Sequence, residues 1–179
     1  MIIGLTGKKG SGKTLAANYF IEKGYTKINF KDALIKEMRE RLPNVLAELS
    51  KTYQMSIDNL FEQKPPIMRA LLQNYGTEVR RKDNENYWVD KWKSLVTPQT
   101  VVDDVRFLNE ADVVKEKGGI IIRIVLLGQE HTDTHISEIE MDSIEPDYTV
   151  TAQKGDFDTL YSELDKIYEI ATTTEDRRA

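Results

Sequence analysis

The sequence predicts an α/β domain built on a mostly parallel five-stranded sheet with helices on both faces. Three observations carry that reading. Short apolar runs alternate along the chain with stretches of helical periodicity. The first run leads at once into a glycine-rich loop, Gly7-Lys8-Lys9-Gly10-Ser11-Gly12-Lys13-Thr14, and then a helix. A later run, Thr100 to Asp104, closes on two carboxylates, and acids at the carboxyl end of a buried parallel strand lie where ligands bind in open α/β folds.

The loop matches the phosphate-binding pattern G-x-x-x-x-G-K-[ST], and its flanks supply the strand and helix that the pattern needs. Met1 to Thr6 reads as a strand through Ile2, Ile3 and Leu5. Leu15 to Glu22 reads as a helix with Leu15, Ala16, Tyr19 and Phe20 on its apolar side. Glycines permit backbone conformations that a Cβ forbids, so successive N–H groups can turn toward phosphates at a helix N-terminus. Gly7, Lys8, Gly10, Ser11, Gly12, Lys13 and Thr14 are therefore candidate nucleotide-binding residues. Lys13 is expected to reach the β and γ phosphates and Thr14 to offer its hydroxyl to Mg²⁺, in a P-loop NTPase fold.

Gly24 is expected to stop the first helix and Tyr25 to Phe30 to form the second strand. A helix from Asp32 carries Ala33, Leu34, Met38 and Leu42, Pro43 ends or kinks it, and Val45, Leu46 and Leu49 continue the pattern. One small helix is expected around Ile57 to Phe61. After Pro65-Pro66 a helix places Ile67, Met68, Leu71, Leu72, Tyr75 and Val79 on a broad apolar side. Arg69, Gln73, Gly76 and Arg80 fall on a different stripe, either a solvated face or the receiving half of a phosphotransfer site, where an arginine fork suits a phosphate monoester. Thr100 to Asp104 is the third strand. One of its acids is expected to serve Mg²⁺ beside Thr14; the competing reading is a turn acid or cap before a helix over Asn109 to Lys117. Ile120 to Leu127 and Tyr148 to Ala152 are the last strands, and Phe157 to Ile170 the last helix, with Leu160, Leu164, Ile167 and Tyr168 inward. The expected organisation is one domain over 1–171 with a helical acceptor-binding insertion at about 32–97, then a disordered tail over 172–179.

Composition narrows the function classes. Thirty acidic and 25 basic residues leave a net charge of −5 without long single-sign blocks, which argues against a nucleic-acid polymer as partner. There is no cysteine and there are two histidines, so thiolate and histidine-based metal sites are excluded. No apolar run reaches membrane-span length and no charged leader precedes the first strand, so the expectation is a soluble cytoplasmic protein.

Several stretches together resemble the bacteriophage-type deoxynucleoside monophosphate kinases of the P-loop kinase superfamily. They are the Gly7 to Thr14 loop; Leu71-Leu72-Gln73 with Gly76-Thr77-Glu78, Arg80 and Trp88; Asp104-Val105-Arg106-Phe107 with Asn109-Glu110; and His135 with Ser137-Glu138. The resemblance implies transfer of the ATP γ-phosphoryl group to a deoxynucleoside 5′-monophosphate, with ATP and Mg²⁺ as cofactors, in host-cell cytoplasm if the chain is phage-encoded. It places ATP on Gly7 to Thr14 and the acceptor beside Arg69, Gln73, Gly76, Thr77 and Trp88, with Phe30 and Lys36 completing that pocket. Asp104 and Arg106 sit between the two, one handling metal or acceptor and the other a phosphate. A homodimer is compatible with the resemblance, although no exposed apolar stripe demands one.

Two departures stand out. Gly128 to Asp142, where such kinases carry a lid with arginines, contains no lysine or arginine, so the transition-state cation falls to Arg80, Arg81 or Arg106. The position after the loop lysine is Thr14 rather than an acid. His135, Ser137 and Glu138 read equally well as a helix cap or a functional cluster. The rival readings are another small-molecule kinase, such as a dephospho-coenzyme A kinase, and a nucleotide-dependent binding protein without kinase activity.

Overall fold

The computed structural model describes residues 1–128 and 140–176. It divides into two compact units, one formed by Met1–Asn29 with the chain from Leu95, the other by Phe30–Ser94. In chain order the elements are β1 (Ile2–Thr6), α1 (Lys13–Glu22), β2 (Thr26–Lys27), α2 (Phe30–Arg41), α3 (Pro43–Tyr53), α4 (Ile57–Gln63) and α5 (Pro66–Gln73). A π-helical segment (Asn74–Arg81) follows, then α6 (Tyr87–Lys93), β3 (Thr100–Val102), α7 (Leu108–Glu116), β4 (Ile120–Leu126), a 3₁₀ turn (Met141–Ser143), β5 (Tyr148–Ala152) and α8 (Phe157–Asp176).

The first unit holds the sheet. Its strands run in the order β2-β3-β1-β4-β5, and every pairing is parallel. Strand β1 is central because its residues are apolar on both faces and buried throughout. Ile3 and Leu5 point with Val101, Ile122, Ile124 and Val150 into a core closed by Ala16, Phe20, Leu160, Leu164 and Ile167 of α1 and α8. Fully burying each of the large aliphatics contributes about 1.5–3 kcal/mol. Gly4 points the other way, where an added Cβ would lie 2.6 Å from Ile121 and 3.3 Å from both Val105 and Val114, so α7 can lie close on that face. The chain departs from β1 toward β2 on one side and, after β3, resumes with β4 on the other. The loop after β1 therefore stands at the switch in strand order, the position where this kind of sheet opens a crevice.

Three local expectations are corrected. The second strand is two residues long, not six. Pairing continues through the Ile28 N–H to the Val101 carbonyl, but the Asn29 side chain bonds Asp103 and Phe30 already opens α2. On α1 the inward positions are Ala16, Ala17, Tyr19 and Phe20, while Leu15 is exposed, because the helix begins at Lys13 and presents the small Ala17 to the sheet. Helix α8 does not stop at Ile170 but runs on to Asp176 through part of the stretch expected as a tail. Buried Ala171 anchors it there, and the Thr172 and Thr173 hydroxyls donate to the carbonyls of Tyr168 and Glu169.

The second unit is helical, at bounds a few residues from the expected 32–97, with a core of Met38, Leu46, Leu60, Phe61, Met68, Tyr75 and Trp88. Pro43 starts α3, where its missing N–H is harmless, and the Ser56 hydroxyl caps α4 by accepting the Asn59 N–H at 3.1 Å. The single helix expected after Pro66 changes register at Asn74 from α to π. That change turns Val79 outward, and Ile67 is exposed on the first turn of α5.

Candidate functional site

In the first unit the loop between β1 and α1 is shaped by its glycines. Gly7 has φ +137°, and a Cβ there would fall 2.3 Å from the Ile124 carbonyl oxygen of β4 and 2.9 Å from Ser11 Oγ. Gly12, just before α1, has φ +100°, again a conformation that favours glycine. The backbone is thus pressed against β4 in a form that side chains would prevent. Beneath it the hydroxyls of Thr6 and Ser11 are buried and have no hydrogen-bond partner among the described residues. Each such group left unpaired costs about 1–3 kcal/mol, a penalty that a bound anion's oxygens remove. The Lys13 ammonium arches back over the loop and donates to the carbonyls of Gly7 and Lys8, the latter at 2.8 Å. Thr14 is exposed on the first turn of α1.

A hollow of about 270 Å³ lies against this loop, lined by Gly7, Lys8, Ser11, Arg123 to Leu126, Met141 and Asp142. Arg123 builds its far wall by donating to the carbonyls of Met141 and Ile144, the former at 3.0 Å. Lys8 pairs with Asp142 at 2.7 Å across it.

The acids after β3 separate into two kinds. Asp103 is buried, held by Lys27 and by a reciprocal pair of hydrogen bonds with Asn29. Asp104 and Arg106 are partly exposed on either side of fully buried Val105. The Glu110 carboxylate accepts the N–H groups of Arg106 and Phe107 at 2.8 and 3.2 Å, which caps α7 and fixes the Arg106 backbone. The sequence showed two equivalent carboxylates; the fold buries Asp103 in a structural role, while Asp104 is partly exposed. Among the described residues no group of three or more His, Asp or Glu could hold a metal ion by itself.

The other expected residues lie in the second unit, and here several placements differ from the sequence reading. Trp88, expected beside the acceptor, is 3% exposed, and its indole Nε1 donates to the Gly76 carbonyl at 2.9 Å, so it braces the π-helical segment from the core. Phe30 is buried against Trp92, ring centres 4.7 Å apart. Gly76 is buried under Leu34, where a Cβ would come to 3.3 Å, rather than forming a gap on an open stripe. Arg69, Gln73 and Thr77 are half-buried and Lys36 is exposed on α2. Arg81 is buried and donates to the Glu85 carbonyl. The stripe of Arg69, Gln73, Gly76 and Arg80 assumed one continuous α-helix; the π register breaks it after Gln73. His135, Ser137 and Glu138 lie outside the described residues.

Arg80 is not a loose cation. Its guanidinium meets Glu37 Oε1 at 2.5 Å and the Tyr75 hydroxyl at 3.0 Å, and its Nε is buried with no partner among the described residues. Glu37, which the sequence reading missed, is 5% exposed. Its carboxylate also accepts the hydroxyls of Tyr75 and Tyr87, with Arg41 at 3.5 Å and Lys91 at 3.6 Å. Burial pushes this carboxyl up, but the bonds from Tyr87, Tyr75 and Arg80 outweigh it and hold Glu37 below its ordinary value. Burial and the bond to Glu37 raise both tyrosines. A signal existed in the sequence, since Glu37 falls three and four residues after Leu34 and Ala33 and next to Met38, on the apolar face of α2.

Comparison with known proteins supplies a family. The family model described as deoxynucleotide monophosphate kinase matches residues 47–164. A protein of Acanthamoeba polyphaga mimivirus, provisionally named a deoxynucleotide monophosphate kinase, is 33% identical over 184 residues, covering 92% of this chain and 94% of its own. The deoxynucleotide monophosphate kinase of Escherichia phage RB69 is 36% identical over 108 residues, 56% of this chain and 44% of that kinase. Among solved structures, TT1252 from Thermus thermophilus aligns over 94% of this chain and 96% of its own, with 18% identity and a TM-score of 0.48. The phosphate-binding loop at the centre of a parallel sheet and a match covering most of the chain agree, and this chain belongs to the deoxynucleotide monophosphate kinase family.

Proposed function

We propose that this chain transfers the γ-phosphoryl group of ATP to the 5′-phosphate of a deoxynucleoside monophosphate, giving the diphosphate and ADP. The observation that carries the reading is the loop itself: a backbone cradle that a Cβ at Gly7 would fill, over a buried Ser11 hydroxyl awaiting an acceptor or donor. Phosphoryl transfer asks little covalent help of a protein, mainly alignment and neutralisation of charge on the moving group.

The roles divide by residue. The loop N–H groups from Gly7 to Thr14 and the N-terminal end of α1 hold the donor phosphates. Lys13, a flexible cation now resting on two loop carbonyls, turns to the β and γ phosphates. Thr14 and Asp104 would offer oxygens to Mg²⁺, a hard cation that takes oxygen ligands. When bound, that ion neutralises charge developing between the β and γ phosphates. Arg106, partly exposed and with its backbone fixed by Glu110 in the same unit as the loop, is the candidate for the transferring phosphoryl group. Arg69, Gln73 and Thr77 are the acceptor-side candidates.

The test is ADP formation from Mg-ATP with dAMP, dGMP, dCMP, dTMP or dUMP, the ribose counterparts, and dephospho-coenzyme A as separate acceptors. Fast turnover with one or more deoxynucleotides is expected and also sets base and sugar preference. Slow ATP loss indifferent to every acceptor would leave a nucleotide-binding protein instead.

A further inference from the structure

Tyr75 and Arg80 both bond Glu37 Oε1, and the guanidinium lies over the Tyr75 ring with its carbon 5.2 Å from the ring centre. They are five residues apart. In an α-helix that spacing separates two side chains by roughly 140° around the axis, so they could not share one oxygen. In a π-helix five residues close one hydrogen-bonded turn, which brings them to the same face. The backbone agrees, with the Lys82 N–H bonded to the Thr77 carbonyl. π-Helical turns are rare and mostly single, yet this one spans eight residues, Asn74–Arg81, and so needs a specific source of stability.

We propose that Glu37 is a positioning residue that locks Asn74–Arg81 in π register, and thereby sets where the acceptor-side residue Thr77 stands. A buried carboxylate that takes two donors from positions i and i+5 selects the one helical register in which those donors coincide. Tyr87 and Lys91 hold the other oxygen from α6, so the carboxylate cannot rotate to satisfy an α-helical arrangement instead. Relaxation to α register would leave Tyr75 or Arg80 without its acceptor in a buried place and would rotate every later residue of the segment. The kinetic consequence rests on the phosphotransfer reading; the register itself does not.

The experiment separates the two. Trp88 reports the register directly, because its indole N–H donates to the Gly76 carbonyl inside the segment. The wild type labelled with ¹⁵N at the indole nitrogens gives two tryptophan signals, of Trp88 and Trp92, assigned with Trp92→Phe. In Glu37→Gln, and more mildly in Tyr75→Phe, the Trp88 signal is expected to shift or split while Trp92 stays. The acceptor KM should rise at least tenfold with the ATP KM within twofold. Arg41→Ala removes a charge from the same oxygen without touching the segment and should change neither. An unmoved Trp88 signal in folded Tyr75→Phe, or an equal effect from Arg41→Ala, overturns the proposal. If Glu37→Gln fails to fold, Tyr75→Phe decides. Should the wild type phosphorylate no acceptor, the functional reading falls while the Trp88 signal still judges the register.

Discussion

Asn29 and Asp103 exchange two hydrogen bonds: the Asn29 amide donates to Asp103 Oδ1 at 2.7 Å and accepts the Asp103 backbone N–H at 2.9 Å. This clasp joins the end of β2 to the end of β3 where Asp104 begins. Asn29→Ala leaves a buried N–H and one buried carboxylate oxygen without these bonds, a loss of about 1–3 kcal/mol. At about 2–4 °C per kcal/mol for a chain of this size, a thermal melt should show a fall of several degrees. An unchanged melting temperature would mean that the Asn29 clasp adds nothing to the hold on Asp103.

Lys13→Ala removes the ammonium that bonds the loop's own carbonyls at Gly7 and Lys8. Phosphoryl transfer should fall by at least two orders of magnitude, because charge on the moving group is stabilised mainly by such contacts. The melting temperature should stay within about 2 °C, since the lysine side chain is partly exposed. Wild-type turnover in this variant would remove Lys13 from the catalytic set.

Arg106→Ala should cost far more in turnover than in stability. Its backbone N–H remains bonded to Glu110 and Val105 stays buried, so the local fold survives the loss of the guanidinium. Steady-state kinetics beside a urea melt distinguish the outcomes. Wild-type kcat would hand the transition-state role to another cation. Arg80→Ala is expected to do the reverse first, lowering stability, because it strips Glu37 of its shortest cation contact.

Glu37 gives a pH signature. Its folded-state carboxyl titrates below the ordinary value of 4.5, so the unfolded chain takes up the proton first as pH falls. The stabilisation is present above about pH 4.5 and is lost as pH drops through the folded-state value. Glu37→Gln should therefore flatten the acid limb of stability against pH below that point, by denaturant melts. Half-buried Asp156 and exposed Asp165 are also held low, by bonds from Thr159 and from Tyr19, and Asp165→Asn serves as the comparison that leaves the Glu37 contribution intact.

The sequence by itself determined the nucleotide loop, the alternation of strands and helices, and the family. Each rests on information local to a few residues: glycines where φ must be positive, apolar runs of strand length, and motifs in a fixed order. It determined neither which of Asp103 and Asp104 is buried nor what Arg80 faces, because both depend on side chains far along the chain, Asn29 and Lys27 in one case and Glu37 in the other. The acceptor stripe failed for a related reason. Periodicity assumes one helical pitch, and the pitch after Asn74 follows from where Tyr75, Arg80 and Glu37 meet. Trp88 was expected beside the acceptor; its burial and its bond to the Gly76 carbonyl, twelve residues away in sequence, seat it in the core. Local steric rules can be read one residue at a time, whereas the satisfaction of buried polar groups is a property of the packed structure alone.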